Sequence, residues 1–495
     1  MATDYLAFDL GAQSGRAMLG RFRRGSLDLE EVGRFPNEPV RQNGSIQWDI
    51  LRLWLEMKRA LERVAGSADR RVESIGVDAW GVDYALVGER GNLLENPYHY
   101  RDRRNDGMMD AVFDRISPER LYTVTGIQFL QINTLVQLFA ACRLTPEVVD
   151  AARSLATIPD LLNYWLTGRL CSEYTIATTT QLVNATARTW ATKMIEEIGL
   201  PSRLLTTIVA PGTTVGPLRS DVSPALAGTP VIAPACHDTA SAVASVHASG
   251  DTAFISSGTW SLLGTELPAP IMTTTARDLN FTNEGGVGGT IRFLKNITGL
   301  WMLQACRQCW AAEGDDIEDI QYGELIAAAS DSQLAFRSLV DPDHHMFLDP
   351  ANMPGSIREY CRQTGQPEPS TPAAFTRAIL ESLAFKYRVV LESLERLTGV
   401  RIEVIRVVGG GSRNALLNQF TADATGRAVV AGPAEATALG NIAMQMVATG
   451  AVASIAEARQ AIERSFPVQR FEPSAHDRWD AEYRRFQEYL ELTCA

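Results

Sequence analysis

The residues that could do chemistry first appear in Asp9-Leu10-Gly11-Ala12-Gln13-Ser14-Gly15-Arg16, which follows the apolar run Tyr5-Leu6-Ala7-Phe8. Small residues in a tight turn leave successive backbone N–H groups unobstructed, so such a turn can form a nest for an anion such as phosphate. Asp9 would repel bare phosphate. Mg²⁺ held near Asp9 through water resolves that conflict, because Mg²⁺ combines one or two carboxylates with phosphate oxygens and waters. Ser14 and Arg16 can donate to the same oxygens. An ordinary Gly-Ser turn is compatible with the same residues.

A second turn has the same character. Ser256-Ser257-Gly258-Thr259 offers a nest with hydroxyls, so two such turns could grip a triphosphate. Gly409-Gly410-Gly411 follows a predicted strand, Glu403 to Val408, and precedes a predicted helix with Ser412 as its N-cap. Three glycines remove every side chain from one patch, against which adenine or its ribose could lie. Asp238, after the apolar run Val231-Ile232-Ala233 and at the start of a helix, is a candidate general base. A simple N-cap aspartate fits the same position.

Other chemistries lose support. The sequence contains no Gly-x-x-x-x-Gly-Lys-Ser/Thr, no Gly-x-Gly-x-x-Gly after the first strand, no Gly-x-Ser-x-Gly and no His-Glu-x-x-His. Cys306 and Cys309 form a Cys-x-x-Cys, but inside the helical pattern Leu300 to Ala312, where two small residues one turn apart are expected to pack. The basic cluster Arg101-Asp102-Arg103-Arg104 is balanced by Asp102 and Asp106 and lacks an aromatic ladder, so no nucleic-acid role is expected.

These residues need elements to position them. Tyr5 to Phe8 and Ala17 to Phe22 read as strands flanking the first turn, Leu27 to Phe35 as a third strand, Asp49 to Ala65 as a helix, and Ser74 to Asp78 as a strand entering Ala79-Trp80-Gly81-Val82-Asp83. Asp251 to Gly264 repeats the opening pattern of strand, glycine-containing turn and strand, which predicts two related halves. Val429-Val430 reads as a strand and Glu435 to Ala448 as a helix, completing an alternating α/β pattern. The longest uncharged run, Ala436 to Ala456, is rich in Ala with interspersed polar residues and reads as a buried helix pair broken at Gly450, not a membrane span.

A chain of 495 residues exceeds one core, at about 150 residues per domain. The expected division is 1–245 and 246–495, with a ligand-binding cleft between the halves. With 45% apolar and 21% charged residues, disorder is excluded. Lys plus Arg number 46 and Asp plus Glu 58, so the net charge of −12 opposes binding to nucleic acid or anionic lipid. Seven cysteines and a start without a basic n-region predict a cytoplasmic protein.

Taken in order, Phe8 to Arg16, Asp238, Ser257-Gly258-Thr259 and Val408-Gly409-Gly410-Gly411-Ser412-Arg413-Asn414 resemble the landmarks of the FGGY carbohydrate kinases. The resemblance extends through Val77 to Asp83, Gly126 to Leu130, Ala177 to Asn184, His237 to Val243, Ser256 to Leu262 and Leu294 to Ile297. It implies an α/β protein of two actin-like, ribonuclease-H-like domains that bind ATP and sugar in a cleft, as a monomer or small homo-oligomer. It implies Asp238 as the base, ATP contacts from Ala12, Gln13, Ser14, Gly15, Arg16, Thr259, Gln304 and Gly410, and ketose contacts from Gly81, His237, Asp238, Thr239 and Asn296. His237-Asp238 stands where other ketose and polyol kinases usually have Gly-Asp, which implies L-rhamnulose, phosphorylated at its 1-hydroxyl, as the acceptor. Another ketose or polyol, an actin-like ATPase without a sugar, and a non-catalytic sugar sensor are the alternatives; Asp238 counts against the last.

Overall fold

The computed structural model describes residues 3–67, 71–312, 322–348, 350–474 and 476–493. The chain forms two compact α/β units. The first is Met1–His247 with Glu266–Phe293 and Ala436–Phe466, and the second is Ala248–Thr265 with Leu294–Glu435 and Pro467–Ala495.

In the first unit the large sheet comprises Thr3–Leu10 (β1), Ser14–Arg23 (β2), Ser26–Pro36 (β3), Val72–Ala79 (β4), Thr213–Pro217 (β5) and Pro230–Ala233 (β6), in the order β5-β6-β4-β1-β2-β3. Tyr5, Leu6, Ala7, Phe8 and Leu10 are all fully buried, as expected for an inner strand covered on both faces. Leu439, Ile442, Ala443 and Met446 of the helix Ala436–Ala448 join Tyr5 and Ala7 in one core cluster. Gly450, with φ of 73°, turns the chain after that helix as expected, but the next helix is Ile455–Ser465, so the uncharged run holds one buried helix and a turn with only the first two residues of the second helix.

β4 runs parallel to β1 and to β6, so the carboxyl ends of all three lie at one edge, where open α/β sheets bind ligands. The register sets Asp9 of β1 beside Asp78 of β4, and Ala79 bridges to His237 just beyond β6. On the other side of β1, Asp9 lies opposite Arg16 of the antiparallel β2.

The other large sheet has seven strands, Thr252–Ser257 (β7), Trp260–Leu267 (β8), Ile291–Thr298 (β9), Val404–Val408 (β10), Ala428–Ala431 (β11) and Gln469–Phe471 (β12) in the order β9-β8-β7-β10-β11-β12, with the short strand Thr282–Gly285 at the edge beside β9. The sequence repeat reappears as topology. β7 pairs antiparallel with β8 and parallel with β10, as β1 does with β2 and β4. One detail departs from expectation. The helix after the three glycines is Ala415–Thr425, capped by Asn414, whose side chain accepts from Leu417 N at 3.0 Å. Ser412 is no cap: its hydroxyl donates to Gly409 O at 2.8 Å within a 3₁₀ turn, which delays the helix start by one turn.

Candidate active site

The first turn is closed by its own backbone, Gly11 N donating to Ser14 O at 3.0 Å. It is clamped by Asn37, which donates its backbone N–H to Gln13 O and its side-chain amide to Gly11 O, both at 2.9 Å. Nothing in the motif identifies Asn37, because it arrives from the far end of β3. Arg16 donates to Asp9 Oδ2 at 2.5 Å, so the two charges of the motif are paired with each other.

Asp78 is a functional candidate that the sequence reading passes over as a strand residue. It is fully buried, its Oδ2 accepts from Asn441 Nδ2 at 2.6 Å, and its Oδ1 has no hydrogen-bond partner among the described residues. Burial, then the charge of Asp9, raise its pKa well above the usual carboxylate range, with Asp238 adding to the shift. Asp9, Asp78 and Asp238 therefore form one electrostatic group at the edge of the sheet.

Asp238 opens the helix Asp238–Ala244, with His237 at the N-cap position. Its Oδ1 accepts from Thr239 N at 2.5 Å and from Thr239 Oγ1 at 3.1 Å, and it lies 3.4 Å from His237 Nε2. Its Oδ2 accepts no hydrogen bond from the described residues, and the side chain is 28% exposed. A carboxylate with one oxygen tied and the other open suits a proton acceptor. The segment is anchored from below by Glu173, whose Oε2 accepts from Cys236 N at 3.0 Å, and by Thr175 Oγ1, which accepts from His237 N at 3.2 Å.

Gly81 lies against His237: a Cβ added to it would stand 3.2 Å from His237 Nε2 and 3.3 Å from Thr179 Cβ. The next residue, Val82, has φ 67°, a strained conformation for a β-branched side chain. It is held there by Thr179 Oγ1, which accepts from its N–H, and by Thr134 Oγ1 and Gln137 Nε2, which donate to its carbonyl. Asp83 closes the turn by accepting from Trp48 Nε1 at 2.6 Å, Trp80 Nε1 at 3.0 Å and Gln137 Nε2 at 2.8 Å. Burial raises its pKa to about 6.

Asp9, Ala12 to Arg16, Gly81, His237, Asp238 and Thr239 thus belong to the first unit, and Asn296, Thr259, Gln304 and Gly410 to the second. In the second unit Thr259 O accepts from Gly299 N and Trp301 N at 3.2 Å, joining the turn to the end of β9, which carries Asn296, and to the helix Trp301–Ala312, which carries Gln304. The three glycines have separate reasons. Gly409 has φ 81°, and a Cβ on Gly411 would stand 2.0 Å from Ser257 Oγ, whereas a Cβ on Gly410 would meet nothing within 4 Å. Only Gly410 is left open by the protein itself.

Among the described residues the remaining motifs form no second site. Cys306 is buried and Cys309 partly buried, both as free thiols in the helix Trp301–Ala312. Asp102 accepts from Ile46 N and Arg104 N, and the Arg104 guanidinium lies 3.5 Å over the Tyr98 ring, so Asp102 and Arg104 of the basic cluster are engaged locally. No helix among the described residues is long and apolar enough to cross a membrane.

Two family models match. The N-terminal domain of the FGGY family of carbohydrate kinases covers residues 4–245 and the C-terminal domain covers residues 253–449. The chain is 47% identical over 490 residues to a rhamnulokinase from Bacteroides thetaiotaomicron, covering 98% of this chain and 99% of that one. It is 42% identical over 464 residues to a rhamnulokinase from Oceanobacillus iheyensis, covering 94% and 97%. A crystal structure of gluconate kinase from Lactobacillus acidophilus superposes with a TM-score of 0.79 at 15% identity, covering 100% of this chain and 97% of that one, and so shares its fold.

Proposed function

The chain belongs to the FGGY family of carbohydrate kinases, and on that premise we propose that it transfers the γ-phosphoryl group of ATP to the 1-hydroxyl of L-rhamnulose, yielding L-rhamnulose 1-phosphate and ADP. The observation that carries this reading is the His237-Asp238 pair at the edge of the sheet, with Asp238 Oδ2 open and His237 against Gly81. The identity to rhamnulokinases over nearly the whole chain supports the choice of acceptor.

In this reaction Asp238 Oδ2 takes the proton as the hydroxyl O–H bond breaks. The hydroxyl oxygen bonds to the γ-phosphorus, and the bond from that phosphorus to the β,γ-bridging oxygen breaks as ADP leaves. Phosphoryl transfer asks a protein chiefly for positioning and charge stabilisation. We assign ATP to the nest of Ala12, Gln13, Ser14, Gly15 and Arg16 and to Thr259, Gln304 and Gly410. The ketose is assigned to Gly81, His237, Asp238, Thr239 and Asn296.

The carboxylates suit a hydrated Mg²⁺. Asp78 Oδ1 lacks a hydrogen-bond partner next to the Asp9 carboxylate, while among the described residues no three His, Cys, Asp or Glu side chains are grouped to ligate a metal directly. Asp9 would hold the ion through water, with Asp78 behind it. When bound, Mg²⁺ neutralises charge on the phosphate oxygens.

Measurement of ADP release over L-rhamnulose, L-fuculose, L-ribulose, D-xylulose and glycerol tests the proposal. L-Rhamnulose is expected to give the highest kcat/KM. ADP release independent of any sugar would refute the kinase reading, and preference for another acceptor would refute only the acceptor.

A further inference from the structure

Behind His237 lies a pair of charges that the phosphoryl transfer above does not use. Arg292, on β9, has a completely buried side chain, and Glu284 is 6% exposed. Burying an arginine is costly unless its donors are matched to specific partners. Here Arg292 Nε donates to Gly285 O at 2.9 Å, Nη2 lies 3.1 Å from both His237 Nδ1 and Glu284 Oε2, and Nη1 has no hydrogen-bond partner among the described residues. Glu284 Oε2 is itself 3.3 Å from His237 Nδ1.

A guanidinium can only donate. Nη2 has hydrogen-bond geometry toward the imidazole, while Glu284 Oε2 balances its charge as an ion-pair partner without hydrogen-bond geometry. The Nη2 to Nδ1 contact has hydrogen-bond geometry, so Nδ1 presents its lone pair and the hydrogen of the neutral ring resides on Nε2. That nitrogen faces Asp238 Oδ1 at 3.4 Å.

We infer that Arg292, held by Glu284, is a positioning residue that fixes His237 in its Nε2–H tautomer, so that His237, Thr239 N and Thr239 Oγ1 together orient Oδ1 of Asp238 and leave Oδ2 to the sugar hydroxyl. The inference rests on Asp238 being the base. It gives the histidine before that aspartate a purpose: the ring supplies a donor, on a fixed side, at the Gly81 face where the ketose is assigned. Without Arg292 the tautomer with hydrogen on Nδ1 would turn to Glu284, and Nε2 would then oppose the carboxylate with a lone pair.

The test combines a spectroscopic and a kinetic measurement on the full chain. In protein labelled with ¹⁵N-histidine, with the His237 signals assigned by their loss in His237→Asn, the wild type is expected to show a protonated Nε2 and an unprotonated Nδ1. A neutral ring protonated at Nδ1, or an imidazolium at neutral pH, would overturn the inference whatever the variants do. The charge-balanced double variant Glu284→Gln/Arg292→Met is expected to lower kcat by about 10- to 100-fold, with KM for ATP within about twofold. Arg292→Lys, which keeps a cationic donor, should recover part of that loss. A double variant with a native circular dichroism spectrum and wild-type kcat would overturn the inference. Asp238→Asn separates the two readings: normal turnover in that variant refutes the base, whereas the ¹⁵N spectrum reports on the tautomer independently.

Discussion

The side-chain amide of Asn441 donates to Oδ2 of Asp78 at 2.6 Å, joining residues separated by 363 positions. The bond belongs to a closed network. Gln445 Nε2 donates to Asn441 Oδ1 at 2.8 Å and to Leu6 O at 3.1 Å, and Ser74 Oγ donates to Gln445 Oε1 at 2.7 Å. An apolar helix thereby supplies the donor that the buried Asp78 carboxylate, beside the first turn, requires. Asn441→Leu leaves Asp78 without its donor and removes one of the two acceptors of Gln445 Nε2, Leu6 O remaining. It is expected to cost about 1–3 kcal/mol per stranded group, read from urea unfolding. Stability equal to wild type would show that the network contributes nothing.

Seating of the same helix depends on the absence of a side chain at Gly440, where an added Cβ would lie 1.7 Å from the carbonyl oxygen of Ser241. Ser241 is in the helix that Asp238 opens. Gly440→Ala must push the two backbones apart, which is expected to cost about 1–3 kcal/mol and to lower kcat by displacing Asp238. An unchanged thermal midpoint together with unchanged kcat would contradict this packing.

Two buried carboxyls make a pH prediction. Burial raises the pKa of Asp160 to about 8 and that of Glu173 to about 7. In the unfolded chain both ionise near pH 4, roughly their ordinary value. Between these values the folded state holds protons that the unfolded state has released, so each group's contribution falls as pH rises, by up to about 1.4 kcal/mol per pH unit. The loss is complete near pH 7 for Glu173 and near pH 8 for Asp160. Asp160→Asn retains an acceptor for Glu173 N and a partner for the Thr157 hydroxyl without titrating. The stability of Asp160→Asn relative to wild type should therefore improve steadily from pH 5 to pH 8 in urea titrations. A relative stability of Asp160→Asn that does not change from pH 5 to pH 8 would mean that Asp160 is ionised throughout.

The glycine triplet separates binding from packing. Gly411→Ala places a Cβ 2.0 Å from Ser257 Oγ and is expected to destabilise the second unit by about 1–3 kcal/mol. A Cβ at Gly410 meets no atom of the described residues within 4 Å, so Gly410→Ala and Gly410→Val should leave the thermal midpoint within a few degrees, and Gly410→Val should raise KM for ATP at least about tenfold. An unaltered KM for ATP in Gly410→Val would remove Gly410 from the nucleotide contacts.

The sequence by itself carried what is local. Both hairpins, the helix ending before Gly450, the helix start at Asp238 and the family landmarks were legible, because turn chemistry, hydrophobic period and motif order act between near neighbours. Glu284 and Arg292 stand in the sequence as ordinary charged residues, and nothing adjacent to them gave their burial or a partner. Tertiary structure alone brought Asn37 under the first turn, Asn441 to Asp78, Glu173 beneath Cys236 and Arg292 behind His237, and it assigned Ala436–Phe466 to the first unit. The physical reason is the same in each case. A buried polar group must be satisfied, but its partner can come from any segment the fold delivers, and local sequence carries no record of which.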